Sequence, residues 1–348
     1  MDSLNWFLMK SLDLADFLAT PGIILDVRSP AEHAQGHIPG SLNLPLFDNR
    51  ERALIGTLYK REGPDRAFNL GLELVGPKLT HLVNFAKQHH HEGVVKVHCW
   101  RGGMRSSSLA SLLEIASIPS VTLRQGYKNY RRYALQLLQQ PRTLIVLGGL
   151  TGVGKTILLQ HLKELGEQVL DLEGIACHRG SSYGWLSNTS QPTTEQFENE
   201  IAQQWASFDP SHPIWIEDES RMIGCCKIPD SLFHLLNTQP LIVIEKPLSE
   251  RVVYLKEDYG QRPVEELIQA TERLHKKLGG SRTKEIILLI QEKQLNEAIV
   301  KVLSYYDTAY FHSLSRRHQL QHPIYLENTS HRDWALHLLI LSKKLAEC

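Results

Sequence analysis

Cys99 sits in "HCWRGGMRSS" (His98–Ser107), directly behind the apolar run "VVKV". A thiol attacks only as thiolate, and cations or a helix N-terminus lower its pKa from about 8.5 towards roughly 3.5–7.5. The sequence offers both, with Arg101 and Arg105 in the turn and a helix expected after it. Gly102 and Gly103 let backbone N–H groups turn inward as an anion nest. With Trp100, Met104 and Ser106 they complete a loop expected to hold an anion beside the sulfur. Five residues separate Cys99 from Arg105, which leaves room for a tetrahedral, phosphate-like anion.

A second anion loop follows. "GGLTGVGKT" places Gly149, four residues, then Gly154, Lys155 and Thr156. This Walker A spacing lies between an apolar strand and the amphipathic "KTILLQHLKELG", the context the motif requires. Backbone N–H groups from Thr151, Gly152, Val153 and Gly154 would cradle a diphosphate, Lys155 would neutralise it, and Thr156 would reach a Mg²⁺. Glu217, Asp218 and Glu219 in "PIWIEDES" end a later strand, where a metal-holding acid belongs. A nucleotide and a diphosphate on another carrier both fit the cradle.

"RQGYKNYRRY" carries Lys128, Arg131 and Arg132 among Tyr127, Tyr130 and Tyr133 at helical spacing. Two readings stand. The tyrosines stack on unpaired bases while the cations meet phosphates, or they pack inside a linker helix. A second basic run surrounds Lys276. The histidines His89 to His91 read as cations near a helix C-terminus rather than as a metal tract.

The elements that must position these loops alternate. "GIILDVR", "VVKVHC" and "SVTLRQG" read as buried strands, with "GPKLTHLVNFAKQHH" and "SSSLASLLEIA" as helices. The first helix would bury Leu79, Leu82, Val83 and Ala86, and serines would cap the second. The pattern restarts after Pro141 with "TLIVLGG", then "QVLDLE", "PIWIED", "PLIVIE" and "PIYLE". After Lys246 it is mostly helical. Strand–helix alternation implies parallel sheets covered on both faces.

The chain has 348 residues, enough for two cores. Its formal net charge is zero, so a polyanionic partner must be met by local patches. Five cysteines without a CxxC pair form neither a disulfide framework nor a zinc signature. The first residues do not read as a secretion signal, and no apolar run approaches a membrane span of about 20 residues. The expectation is a cytoplasmic protein with no membrane attachment.

The stretch "LDVRSPAEHAQGHIPGSLNLPL" together with the cysteine loop resembles the rhodanese family over residues 12–137. That resemblance implies that Cys99 carries a transferable chalcogen. The longer loop departs from simple sulfurtransferases and resembles cysteine-dependent phosphatases built on the same fold. A rhodanese module followed over 141–348 by a P-loop module with a helical C-terminal region resembles the tRNA 2-selenouridine synthase family. "HCWRGGMRS", "RQGYKNYR", "GGLTGVGKT" and "WIEDESRMIG" carry the likeness. It implies an α/β chain that replaces sulfur by selenium in wobble 2-thiouridine of tRNA, with no tightly bound cofactor. Selenophosphate would be the donor, and the route would run through an S-geranyl intermediate made from geranyl diphosphate. A selenophosphate-supplying enzyme fits as a partner. A phosphatase or sulfurtransferase with a nucleotide-binding appendage, and a non-catalytic sulfur carrier, remain as alternatives at this point.

Overall fold

The computed structural model describes residues 10–178, 190–317, 321–325 and 330–346. The chain divides into two compact units, Met1–Leu137 and Leu138–Cys348.

The first unit is built on five parallel strands: β1 (Lys10–Leu12), β2 (Ile24–Asp26), β3 (Leu42–Asn43), β4 (Val95–His98) and β5 (Ser120–Leu123). Their order is β1-β5-β4-β2-β3. Valine and leucine fill the central strands because both faces are covered, and every residue of β4 and β5 is buried. Lys96 fits inside β4 because its ammonium donates to the Thr20 carbonyl oxygen at 2.7 Å. The connections reverse direction between β2 and β4, so the loops leaving these two strands flank a crevice at their carboxyl ends. Those loops begin with Val27 and Cys99.

Three local expectations need correction. The helix Leu79–His89 buries Leu82 and Ala86, but Leu79 is exposed and Val83 is half-buried, so the apolar face is narrower than its spacing implies. The helix after Cys99 runs Met104–Ile115 and starts from Gly103, so Ser106 lies inside its first turn and caps nothing. The chain between β3 and β4 also holds two further helices, Asn49–Glu62 and Pro64–Val75. The first starts at a reciprocal cap in which Asp48 accepts from the Glu51 N–H and Glu51 accepts from the Asp48 N–H, each at 2.8 Å.

The second unit has five parallel strands: β6 (Leu144–Gly149), β7 (Gln168–Leu170), β8 (Ile214–Glu217), β11 (Leu241–Glu245) and β12 (Gln321–Tyr325). A small antiparallel pair, β9 (Met222–Ile223) and β10 (Cys226–Lys227), lies between β8 and β11 in the chain. The large sheet runs β12-β11-β6-β8-β7. Its connections reverse between β6 and β8, again placing two loops across a crevice. After β11 come helices Leu248–Tyr259, Val264–Arg273, Gly280–Gln291 and Leu295–Leu314. Leu267, Ala270, Leu274, Ile286, Ala298 and Val302 give them an apolar core of their own. The fold is therefore α/β, with a largely helical C-terminal part carrying one late strand. Among the described residues no helix is long and apolar enough to cross a membrane.

Candidate functional site

Cys99 leaves β4 at the floor of its loop and is 3 % exposed. Its Sγ lies 3.3 Å from Ser106 Oγ and 3.8 Å from the Gly103 carbonyl oxygen. Arg101, Gly103 and Met104 form the exposed rim, while Trp100 and Gly102 are half-buried. Arg105 is half-buried and pairs with Glu32 at 2.9 Å. Burial alone would raise the Glu32 carboxyl, but the hydrogen bond and charge of Arg105 outweigh it and hold it below its ordinary value. Beneath the loop, Arg28 is buried against Asp26 at 2.6 Å and donates to the Gly36 carbonyl oxygen at 2.6 Å. Burial pushes the Asp26 carboxyl up, yet the neighbouring His98 and Arg28 bring it below normal. His98 is fully enclosed, and burial drives its pKa down to about 4, so it is neutral near pH 7.

The phosphate loop joins β6 to the helix Lys155–Glu164, which starts from Gly154 in the left-handed conformation. Lys155 Nζ donates to the Gly149 carbonyl oxygen at 2.9 Å, and Val153 is buried beneath the turn. Thr151 and Gly152 are half-buried, and Thr156 faces the acid ending β8. Glu217 and Glu219 meet Glu173 there, with one oxygen of each within 4.8 Å of the others. Burial and mutual repulsion push Glu173 up to about 9 and Glu219 to about 8, and burial also raises Glu217. Glu217 Oε1 is buried without a hydrogen-bond partner among the described residues. Asp218 points elsewhere and pairs with Arg317 at 2.5 Å.

Two elements remote in sequence brace this loop. Arg251, 2 % exposed, donates from Nε to the Thr151 carbonyl oxygen at 2.8 Å and grips both oxygens of Asp307 at 2.9 and 2.6 Å. The Tyr310 hydroxyl accepts from the Gly149 N–H at 2.9 Å. Burial and the nearby Asp218 keep that hydroxyl protonated well above its ordinary range.

Comparison with known families matches residues 11–136 to the rhodanese-like domain and residues 142–335 to the tRNA 2-selenouridine synthase AAA domain. The tRNA 2-selenouridine synthase of Nitrosomonas europaea is 33 % identical, covering 89 % of this chain and 92 % of its own. The enzyme of that name from Aeromonas salmonicida is 32 % identical over 88 % of this chain and 91 % of its own, and that from Pseudomonas fluorescens 34 % over 79 % and 80 %. This chain belongs to the tRNA 2-selenouridine synthase family.

Within this family member, the helix Gly126–Leu137 does not offer the tyrosine platform its spacing allows. Tyr127 and Tyr130 are buried. The Tyr127 ring lies on the Arg28 guanidinium, 3.9 Å from centroid to Cζ, and beside Trp100. Stacking on bases is therefore closed to these two rings. The helix instead supports the cysteine loop, with the Tyr127 and Lys128 N–H groups donating to the Cys99 and Trp100 carbonyl oxygens at 2.8 and 3.0 Å. Gly126 has φ +59°, and a Cβ there would lie 2.2 Å from the Cys99 carbonyl oxygen. Lys128 and Arg132 face solvent, with Arg132 bonded to Gln125 and Asn129. Arg131 is half-buried.

Sequence reasoning missed Glu173, Arg251, Asp307, Tyr310 and Arg317. Glu173 has a faint signal, because it follows β7, which pairs with β8, and so ends beside the acids it joins. Arg251, Asp307 and Tyr310 lie on helices and Arg317 just past the last of them, all some hundred residues or more beyond the loop, where no spacing rule reaches. Cys177, Cys225 and Cys226 are reduced thiols, and burial pushes Cys226 up to about 12, so it stays protonated.

Proposed function

We propose that this chain converts 2-thiouridine at the tRNA wobble position to 2-selenouridine in two half-reactions, one at each anion loop. The observation that carries the reading is that both loops occur in one chain whose likeness to named 2-selenouridine synthases runs through both units.

The phosphate loop takes geranyl diphosphate. The thiocarbonyl sulfur attacks C1 of the geranyl group, the C–O bond breaks, and diphosphate leaves. Loss of the N3 proton then gives a neutral S-geranyl base. Lys155 and the N–H groups of Thr151 to Thr156 meet the charge that develops on the leaving group. Glu173, Glu217 and Glu219, with Thr156 beside Glu217, suit a divalent cation: the glutamate oxygens converge, and Glu217 keeps a buried oxygen with no partner among the described residues. A bound Mg²⁺ supplies further positive charge beside the diphosphate.

The cysteine loop takes selenophosphate, with Cys99 as nucleophile and Trp100 to Ser106 as the anion cradle. Selenium held on Cys99 as a selenylsulfide is two electrons more oxidised than selenide, so that form requires an oxidant to make it and a thiol to release it. Attack of the same thiolate on phosphorus needs neither. The S–P bond forms, the P–Se bond breaks, and selenide leaves to attack C2 and expel geranylthiolate. Water then frees Cys99 and yields phosphate. The five-residue spacing to Arg105 favours this second route because it suits a tetrahedral phosphorus.

The test supplies 2-thiouridine tRNA with geranyl diphosphate alone, then with selenophosphate, and reads the nucleosides by mass spectrometry. Sequential appearance of the S-geranyl and selenium nucleosides is expected. Selenation of 2-thiouridine without any need for geranyl diphosphate sinks the two-step scheme. Protein mass spectrometry separates the two fates of Cys99, since bound selenium has a distinctive isotope pattern and phosphate has none.

A further inference from the structure

An apolar slot opens directly beside the phosphate loop, inside the second unit. The space in it and at its mouth, open solvent included, amounts to about 430 Å³, and the interior itself is narrow. Leu255, Leu267, Ile290, Ala298, Val302 and Tyr306 are among its walls, contributed by the helices Leu248–Tyr259, Val264–Arg273, Gly280–Gln291 and Leu295–Leu314.

Thr151 belongs to both features: it lines the slot and lies within the phosphate loop. The two are joined rigidly. Arg251 holds the Thr151 carbonyl oxygen with one face of its guanidinium and Asp307 on the helix Leu295–Leu314 with the other. At Gly152 a Cβ would lie 3.1 Å from Leu255 Cδ1, so the loop backbone rests against the slot's wall. A group bound at the loop therefore has this slot as an immediate neighbour.

The slot's chemistry selects what that group carries. A ribose and a base bring hydroxyl and amide-like groups that cost free energy when buried without partners. Apart from Thr151, Tyr259 and Tyr306, every residue lining the slot is aliphatic. A slender hydrocarbon gains from such a lining through burial alone. We propose that the slot receives the hydrocarbon tail of the diphosphate substrate, with its mouth at Thr151 fixing where the diphosphate ends and the chain begins. This rests on the reading that the phosphate loop takes a prenyl diphosphate, and it deepens that reading by naming the tail's binding site and the residues that set its length.

Binding of geranyl diphosphate and of inorganic pyrophosphate to the full chain, each with Mg²⁺, tests it. The wild type should prefer geranyl diphosphate at least tenfold. Ala298→Phe, which fills the slot, should erase that preference and leave pyrophosphate affinity unchanged. A folded Ala298→Phe protein that keeps the tenfold preference overturns the proposal. Should that variant not fold, a benzophenone-bearing prenyl diphosphate on the wild type decides. Labelling within residues 248–306 supports the slot, and labelling confined elsewhere overturns it. Lys155→Ala separates this proposal from the reading beneath it. If neither ligand depends on Lys155, the phosphate loop does not hold the diphosphate and both fall. If both depend on Lys155 while slot filling changes nothing, the slot alone falls.

Discussion

Around Cys99, Arg28 has Asp26 and Arg105 has Glu32, and the enclosed imidazole of His98 carries no charge near neutral pH. Around Lys155, three glutamates converge until one oxygen of each lies within 4.8 Å of the others, and burial with mutual repulsion holds protons on Glu173 and Glu219 near neutral pH. Both loops stand at the reversal point of a parallel sheet, and both expose backbone N–H groups after a strand. They differ in how charge is settled. In the first unit the protein's own carboxylates settle the charges of Arg28 and Arg105 in advance, and among the described residues Arg101 keeps its charge at the rim. In the second three glutamates lie next to the loop proposed to hold a diphosphate, an arrangement that a cation would complete. The cysteine loop should accordingly be indifferent to divalent cations, and the phosphate loop should depend on them.

The sharpest way to break this contrast is to disable each loop separately. Cys99→Ser should abolish selenation and leave S-geranyl tRNA accumulating. On the proposed scheme Lys155→Ala would remove a cation from the departing diphosphate, an effect often worth about 3 kcal/mol, or roughly a hundredfold in rate. It should slow geranylation steeply and spare selenation of tRNA that already carries the geranyl group. Nucleoside mass spectrometry of single-step reactions reads both. Normal geranylation by Lys155→Ala would dissolve the division of labour.

Arg28→Met tests the settled side of the comparison. It leaves Asp26 buried without its partner and removes the cation from the Tyr127 ring. Breaking a buried pair in this way costs about 3–5 kcal/mol. Chemical denaturation should show that loss, and Asp26→Asn combined with Arg28→Met should recover part of it, because no buried charge is then left behind. Equal stability of the single and double variants would mean that the pair is not the support it resembles.

The phosphate loop's charge should show as a pH effect of the opposite kind. Glu173 and Glu219 titrate in the folded chain near 9 and 8, well above their ordinary 4.5. Between those limits the folded chain binds more protons than the unfolded one, so stability without a cation falls as pH rises from 4.5 towards 9. Each full proton of difference contributes roughly 1.4 kcal/mol per pH unit at most. Thermal unfolding in chelator should drop in Tm from pH 6 to pH 8.5. Millimolar Mg²⁺ should restore it, and Glu173→Gln should flatten the slope. A flat profile in the wild type would refute the buried cluster.

The sequence was legible where physics is local. Apolar runs such as "TLIVLGG" and "VVKVHC" announce buried strands, and the Walker spacing names its own loop. It was less legible where one pattern serves two ends. Tyrosines at helical spacing in "YKNYRRY" fit a stacking surface or a packed face, and only the approach of Arg28 from another strand's loop decides. The helices Asn49–Glu62 and Pro64–Val75 escaped because their faces are weakly segregated in the one case and partly exposed in the other, with Leu54, Tyr59, Phe68 and Leu72 all facing solvent. Glu173 and Arg251 reach the phosphate loop only through sheet pairing and helix packing, which no spacing within a motif encodes.

The smallest expected effect is on tRNA affinity and concerns the outer face of the helix Gly126–Leu137, which divides its labour between its two faces. The buried face supports the cysteine loop, so Tyr127→Ala should destabilise the protein by about 3–5 kcal/mol. Tyr127→Phe, which keeps the ring over Arg28, should leave tRNA affinity where it was. The outer face offers Lys128 and Arg132 with the half-buried Arg131, and Tyr133, 37 % exposed, is the one tyrosine of the three still open to a base. If Lys128, Arg131 and Arg132 meet tRNA phosphates, neutralising all three weakens binding uniformly across tRNA sequences and releases fewer counterions. The slope of log affinity against log salt should then flatten by about 0.7–0.9 for each phosphate that is no longer neutralised. Filter binding across a salt series measures this directly. An unchanged slope would leave the helix as a support for Cys99 alone and move the tRNA to another surface, with the basic stretch around Lys276 the next to neutralise.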